Sequence, residues 1–295
     1  MRPRTISLLL PLLLLGASVL PSPSGPGDPG GQLVIVGGGT PSPRILRRFV
    51  ALAGGERSQL IVLPMASEDP AGSGKSASES LGQAGARSVD VLILTREMAD
   101  TPSALAPLRA ASGIFFSGGD QSRLTRALKD TKAETLLHDL LHGGVVLAGT
   151  SAGAAVMSEI MITGEEKRRV PEDGDAFTTI EADNVVTAPG FGFLRGVIVD
   201  QHFVRRRRSN RLMSLVLENP ACLGVGIDEE TGIWVKPDRT FEVIGEGLVV
   251  VFDAHAAKVR RNGERLEADG VTLHVLRDGS LFDLDARRVV RLGAP

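Results

Sequence analysis

The sequence predicts an α/β fold: a mostly parallel sheet covered by helices on both faces, with a β-rich C-terminal extension. Three observations carry this. Continuous apolar runs recur through the first half, at residues 32–36, 59–63, 89–94, 113–116 and 145–148. Strands buried on both faces read as such runs, not as alternating patterns. Segments with helical periodicity alternate with them, as βα units require. Glycine turns follow the first, fourth and fifth runs, where an open α/β sheet binds its ligands.

Taken in order, Gln32 to Val36 is the first strand, closed by Gly37-Gly38-Gly39. Residues 44–53 form a helix that stops at Gly54-Gly55. The second strand, 59–63, ends at Pro64, and a helix is expected over 76–84. The strands at 89–94 and 113–116 come next, then helices at 121–128 and 133–141. Beyond Ser158 the pattern becomes irregular. The charged stretch 165–175 reads as a loop, and 196–200 and 223–228 as further strands. From Gly232 the segments are short and alternating, at 233–235, 240–244, 248–252, 271–276 and 288–292. Turn signals such as Lys236-Pro237-Asp238 and Arg277-Asp278-Gly279 separate them, which predicts antiparallel hairpins on the sheet's edge. Such hairpins either cap the sheet or join two copies into a homodimer. No internal repeat is found.

The first residues stand apart from this plan. Met1-Arg2-Pro3-Arg4 is a basic start, residues 6–15 are apolar, and Gly16-Ala17-Ser18-Val19 supplies small residues for cleavage. Residues 1–19 therefore read as a signal peptide, too short for a convincing membrane span. Residues 20–31, rich in Pro, Gly and Ser, form a tether. One domain is expected over 32–295, with 232–295 as its hairpin extension. The expected product is exported, periplasmic or extracellular, with no stable membrane anchor after signal removal. A net charge of −2 gives no support for nucleic-acid binding, and the lone Cys222 excludes an internal disulfide or thiolate metal cluster.

Gly149-Thr150-Ser151-Ala152-Gly153 matches G-x-S-x-G directly after an apolar strand and before a small-residue helix. This nucleophile-elbow pattern lifts a serine hydroxyl clear of the sheet edge. Ser151 is the candidate nucleophile, with the backbone N–H of Ala152 placed to face a developing oxyanion. Five histidines are available as its base. His255 and His274 lie in C-terminal strands without polar company. His138 and His142 lack the glutamate of a zinc helix, and a helix C-terminus accounts for His142. His202 is different, because it ends the strand 196–200 among polar residues. Asp228, Glu229 and Glu230 end another strand and are candidates for the orienting acid.

These segments together resemble the cyanophycinase family of serine peptidases, the group that also includes α-aspartyl dipeptidases. The resemblance rests on Phe116-Ser117-Gly118-Gly119-Asp120-Gln121, the elbow, Asp200-Gln201-His202-Phe203, the spaced Arg206, Arg208 and Arg211, and Gly226-Ile227-Asp228-Glu229. It implies a class I glutamine amidotransferase-like, flavodoxin-like sheet with serine replacing the usual cysteine. By motif position it implies Ser151 as nucleophile, His202 as base and Glu229 as acid, with Asp228 and Glu230 as competing choices. Gly119 and Ala152 would donate to the oxyanion, and Gln121, Asp200 and Gln201 would line the pocket. The implied substrate is cyanophycin, a poly-aspartate whose side chains carry arginine, released as β-Asp-Arg dipeptides. Arg206, Arg208 and Arg211 would clamp its carboxylates, and Asp200 or acids of 165–175 would meet its guanidinium. Arg205 and Arg207 would be surface residues. No metal or organic cofactor is needed for such chemistry.

Overall fold

The computed structural model describes residues 31–168 and 179–294. The expected signal peptide, residues 20–30 of the tether and residues 169–175 of the charged stretch lie outside them. Gly31, assigned to the tether, is buried. In chain order the first half comprises β1 (Leu33–Val36), α1 (Pro43–Leu52), β2 (Gln59–Leu63), α2 (Pro70–Gln83), β3 (Ser88–Val91), α3 (Pro102–Ala110) and β4 (Gly113–Phe116). It continues through α4 (Gln121–Leu128), α5 (Lys132–His142), β5 (Val146–Thr150) and the single-turn α6 (Ala152–Ala155). Three of these helices begin on a cap followed by proline: Ser42-Pro43, Asp69-Pro70 and Thr101-Pro102. Each cap side chain accepts a first-turn N–H, and the proline's fixed φ suits the first helical position. The Asp69 cap starts α2 six residues before the expected 76. The Thr101 cap produces α3, a helix the apolar pattern did not reveal.

The second half comprises β6 (Ile160–Glu166), β7 (Val185–Pro189), β8 (Val197–Gln201), α7 (Ser209–Glu218), β9 (Leu223–Ile227), β10 (Thr231–Val235) and β11 (Thr240–Gly245). β12 (Val249–Asp253), β13 (Lys258–Asn262), β14 (Arg265–Asp269), β15 (Thr272–Leu276), β16 (Leu281–Asp283) and β17 (Arg288–Arg291) complete it. Glu165 and Glu166 thus close a strand, where a loop was expected.

The main sheet has nine strands in the order β17-β16-β11-β10-β1-β5-β4-β2-β3. Its five strands from β1 to β3 are parallel, and β10, β11, β16 and β17 extend it antiparallel. The other late strands depart from the expected arrangement. β8, β9, β12 and β15 form a second sheet of their own, with β8 and β9 parallel. The inward residues of that sheet, among them Val199, Val225 and Val251, share one core with Ile35, Phe116 and Leu147 of the main sheet. α1 and α2 cover the opposite face through Leu46, Phe49 and Leu81. α7 packs on the outer side of the second sheet through Leu212 and Val216. The second sheet therefore delivers the ends of β8 and β9 to the carboxyl edge of β1, β4 and β5.

Candidate active site

Ser151 occupies the corner between β5 and α6 with φ 53° and ψ −109°. Such backbone costs on the order of 1–3 kcal/mol for a residue with a Cβ and persists only where its surroundings enforce it. Here the Ser151 N–H donates to Val36 O at 3.0 Å, and the Ser151 carbonyl accepts from Ala154 and Ala155 at 2.9 and 3.0 Å. The side chain is left at the sheet edge, beside the turn formed by Ser117, Gly118 and Gly119. Gly119 has φ 138°, and a Cβ there would lie 2.1 Å from Ala66 O. No other residue fits that turn.

His202 follows β8. Its N–H donates to Gly37 O at 2.6 Å, which ties the end of β8 to the end of β1. Lower on β8, the Val199 N–H donates to the buried Ser158 Oγ at 2.9 Å. The imidazole lies flat over Gly38, where a Cβ would come within 2.3 Å of Cε1. The glycine turn after β1 thus makes room for the ring. Ser151 Oγ is 2.8 Å from His202 Nε2, and His202 Nδ1 is 2.6 Å from Glu229 Oε1. With Nδ1–H donating to the carboxylate, Nε2 is left to accept the serine proton.

The geometry separates the three neighbouring acids. Glu229 alone meets the imidazole. Asp228 Oδ1 accepts the Arg205 N–H at 2.9 Å, bracing the turn after β9 against the turn after β8. Glu230 adopts φ 55° and its N–H donates to Gly38 O at 3.0 Å. Burial lowers the His202 pKa, opposed by the hydrogen bond to Glu229, with the positive charges of Arg206 and Arg208 lowering it further. The hydrogen bond from His202 holds Glu229 below the usual carboxylate range. Both shifts favour a neutral imidazole beside an ionised carboxylate.

The polar residues expected around the substrate are brought together, though not all as open contacts. Asp200 and Arg211 form a buried ion pair, with Arg211 Nε 2.8 Å from Asp200 Oδ2. Their side chains are 0% and 2% exposed, so neither is placed to touch a ligand. A strand-end aspartate facing a helix arginine folds inward because an unpaired charge there would be costly. Gln201 is buried, and its Oε1 and backbone carbonyl both accept from Arg208. Burial, then the charge of Arg211, depresses the Arg208 guanidinium to about 10. Gln121 is buried as well, its amide donating to Ile162 O and Thr163 O at 2.7 and 2.6 Å. Arg206 is exposed, as are Arg205 and Arg207.

Two of the other histidines take backbone carbonyl partners. His138 Nε2 lies 2.9 Å from Phe191 O and His142 Nδ1 2.8 Å from His138 O. His274 packs edge-on against Phe282, and His255 is exposed.

A cleft of 520 Å³ opens beside Ser151 and His202 on the α1–α2 face. Thr40, Ser117, Thr150 and the α2 residues Ser73, Ser76 and Ser80 contribute to its walls. Ser117 and Thr150 belong to motifs read from the sequence, but Thr40 and the three α2 serines were not singled out. The available signal was the i, i+3, i+4, i+7 spacing of Ser73, Ser76, Ala77 and Ser80, visible only once α2 is started at Pro70.

Comparison with known proteins agrees with this architecture. The model of peptidase family S51 matches residues 33–243. The cyanophycinase of Trichormus variabilis is 37% identical over 254 residues, covering 83% of this chain and 82% of the relative. That of Synechococcus elongatus is 36% identical over 270 residues, covering 88% and 81%. Among solved structures, a peptidase from an acI-B1 Actinobacterium superposes with a TM-score of 0.59 at 23% identity, covering 83% of this chain and 98% of that one. The chain belongs to peptidase family S51 and is a serine-type peptidase of the cyanophycinase group.

Proposed function

We propose that this peptidase is an exported cyanophycinase that hydrolyses poly-aspartyl-arginine to β-Asp-Arg dipeptides through a Ser151–His202–Glu229 triad. The hydrogen-bonded chain Ser151–His202–Glu229 is the observation that carries the reading. The relatives named cyanophycinase direct it to this polymer. His202 Nε2 takes the Oγ proton as Ser151 attacks the scissile carbonyl, and Glu229 stabilises the imidazolium that forms. The backbone N–H groups of Gly119 and Ala152, on either side of the elbow, receive the oxyanion. His202 then protonates the leaving amine, and water hydrolyses the acyl-enzyme.

Among the arginines, exposed Arg206 is the substrate contact, while Arg208 holds Gln201 and shapes the wall behind it. Export rests on the basic, apolar and small-residue order of residues 1–19. The test is release of soluble dipeptide from purified cyanophycin by the protein lacking residues 1–19, with Ser151→Ala alongside. Mass spectrometry should find β-Asp-Arg with the wild type only. Absence of dipeptide from a protein whose Ser151 is labelled by a fluorophosphonate would remove the polymer and keep the nucleophile.

A further inference from the structure

Glu229 is tied to the molecule through its backbone as well as its carboxylate. The turn that carries it, residues 228–231, rests on residues 246–248, which cross from β11 of the main sheet to β12 of the second sheet. Three rungs connect the two segments. The Asp228 N–H donates to Leu248 O at 3.0 Å, the Glu246 N–H to Glu230 O at 3.2 Å and the Gly247 N–H to Thr231 Oγ1 at 2.8 Å. The Thr231 hydroxyl in turn donates to Glu229 O at 3.0 Å. Thr231 is wholly buried, and its hydroxyl accepts one hydrogen bond while giving another. Its backbone carbonyl accepts the Gly37 N–H at 2.9 Å, and Gly37 O accepts the N–H of His202. One residue therefore reaches the acid through its side chain and the base through its backbone.

The crossover is shaped to this contact. A Cβ on Gly247 would lie 2.7 Å from Thr231 Oγ1 and 3.2 Å from Glu229 O, and one on Gly245 would lie 2.3 Å from Glu230 O. The Glu229 side chain is 28% exposed, so packing alone does not fix it, and the aim of its carboxylate depends on the backbone from which it leaves. We propose that Thr231 is a positioning residue for the triad acid: its hydroxyl fixes the Glu229 carbonyl against the β11–β12 crossover and so aims the carboxylate at His202 Nδ1. This rests on the triad reading above and deepens it, because it gives the C-terminal strands a part in holding the site.

The test compares Thr231→Val, which keeps the shape and removes the hydroxyl, with Thr231→Ser, which keeps the hydroxyl. The substrate is a short, soluble β-Asp-Arg oligomer. In Thr231→Val kcat should fall about tenfold, short of the roughly 10²-fold that a 1 Å misplacement can cost. KM should stay nearly unchanged, because Thr231 lies behind the acid and touches no substrate. The pH profile supplies a readout that a loss of stability alone would not move. Burial holds the His202 pKa down, the hydrogen bond to Glu229 opposes it, and Arg206 and Arg208 lower it further. A weakened bond to Glu229 lets that pKa fall, so the acid limb of kcat/KM should move to lower pH in Thr231→Val. Thr231→Ser should restore both kcat and the limb. Gly247→Ala, which crowds the same hydroxyl from the crossover, should move the limb the same way and serves as the second variant should Thr231→Val not fold. Wild-type kcat and an unmoved limb in either folded variant, even with a lowered urea midpoint, would overturn the proposal, as would Thr231→Ser behaving like Thr231→Val. Failure of the triad reading shows separately: Glu229→Gln with wild-type activity overturns the triad and the proposal together, whereas an impaired Glu229→Gln beside an unimpaired Thr231→Val overturns the proposal alone.

Discussion

The two flanks of Ser151 are built on opposite principles. Behind His202, the turn after β8 and helix α7 hold Arg206, Arg208 and Arg211, with Asp200 and Gln201 already bound to two of them. In front, Leu46 of α1, Leu81 and the serines of α2, and Phe115 of β4 surround an open cleft. The first flank is wired before any substrate arrives, and most of its polar capacity is spent on itself. The second carries no ion pair among its lining residues, and serine and threonine hydroxyls supply its polarity. Charge near a nucleophile is thus a poor guide to where substrate sits, because a group that already has its partner holds the fold.

The sharpest way to break this comparison removes what the flanks share. Ser151→Ala should lower kcat/KM by about 10⁴-fold or more on cyanophycin and on short aspartyl peptides alike, as loss of a hydrolase nucleophile does. Steady-state hydrolysis of both substrates measures it. A loss confined to one would mean that the two flanks serve different nucleophiles.

Within the charged flank, Arg211 and Arg206 should part company. Arg211→Met leaves buried Asp200 with only Arg208, 3.9 Å away, as its cation, which should cost up to about 3–5 kcal/mol of stability. Urea unfolding reads this directly. Arg211→Met combined with Asp200→Leu should recover most of the loss, because an apolar pair can replace a buried ion pair. Arg206→Ala, at the surface, should leave the midpoint nearly unchanged.

These contrasts also mark how far the sequence could be read. The parallel strands, the elbow and His202 were legible because each follows a local rule. The strands are continuous apolar runs, the elbow is a strand, a glycine-flanked turn and a small-residue helix, and His202 stands among polar residues that close an apolar run. Glu229 could be placed only within a run of three acids. The choice among them depends on the Arg205 N–H capturing Asp228 and on Glu230 bonding to Gly38, contacts between segments far apart in sequence. The inward pairing of Asp200 with Arg211 was hidden for the same reason, since R-x-R-x-x-R looks alike whether its members face solvent or core. The division of the late strands between two sheets left no trace in their alternation. Hairpin patterns specify a partner strand and a buried face, not which sheet that face covers.

Gly38 lies against the His202 ring, and it tests how tightly the proposed base is held. Gly38→Ala would place a methyl 2.3 Å from His202 Cε1, in a backbone conformation with φ 106°. The ring must then shift off Ser151 or Glu229. A displacement near 1 Å is enough for about a 10²-fold fall in turnover. The fall should appear in kcat more than in KM, with fluorophosphonate labelling of Ser151 slowed in parallel. Unaltered labelling would show that the glycine turn does not position the ring.

The smallest expected effect separates the flanks by charge alone. In the proposed mechanism neutral His202 is the competent base, so activity should rise with pH through a His202 pKa that burial and the nearby arginines hold below the ordinary imidazole value. Arg206 disfavours the imidazolium by repulsion. In Arg206→Ala the imidazolium is less disfavoured, the pKa rises, and the acid limb of the kcat/KM profile should move to higher pH. Lys75→Ala removes a cation from the outer face of α2, on the uncharged flank, and should leave that limb where it was. Profiles of the two variants on one substrate make the comparison, and equal movement in both would mean that His202 responds to overall charge and not to the arginine flank.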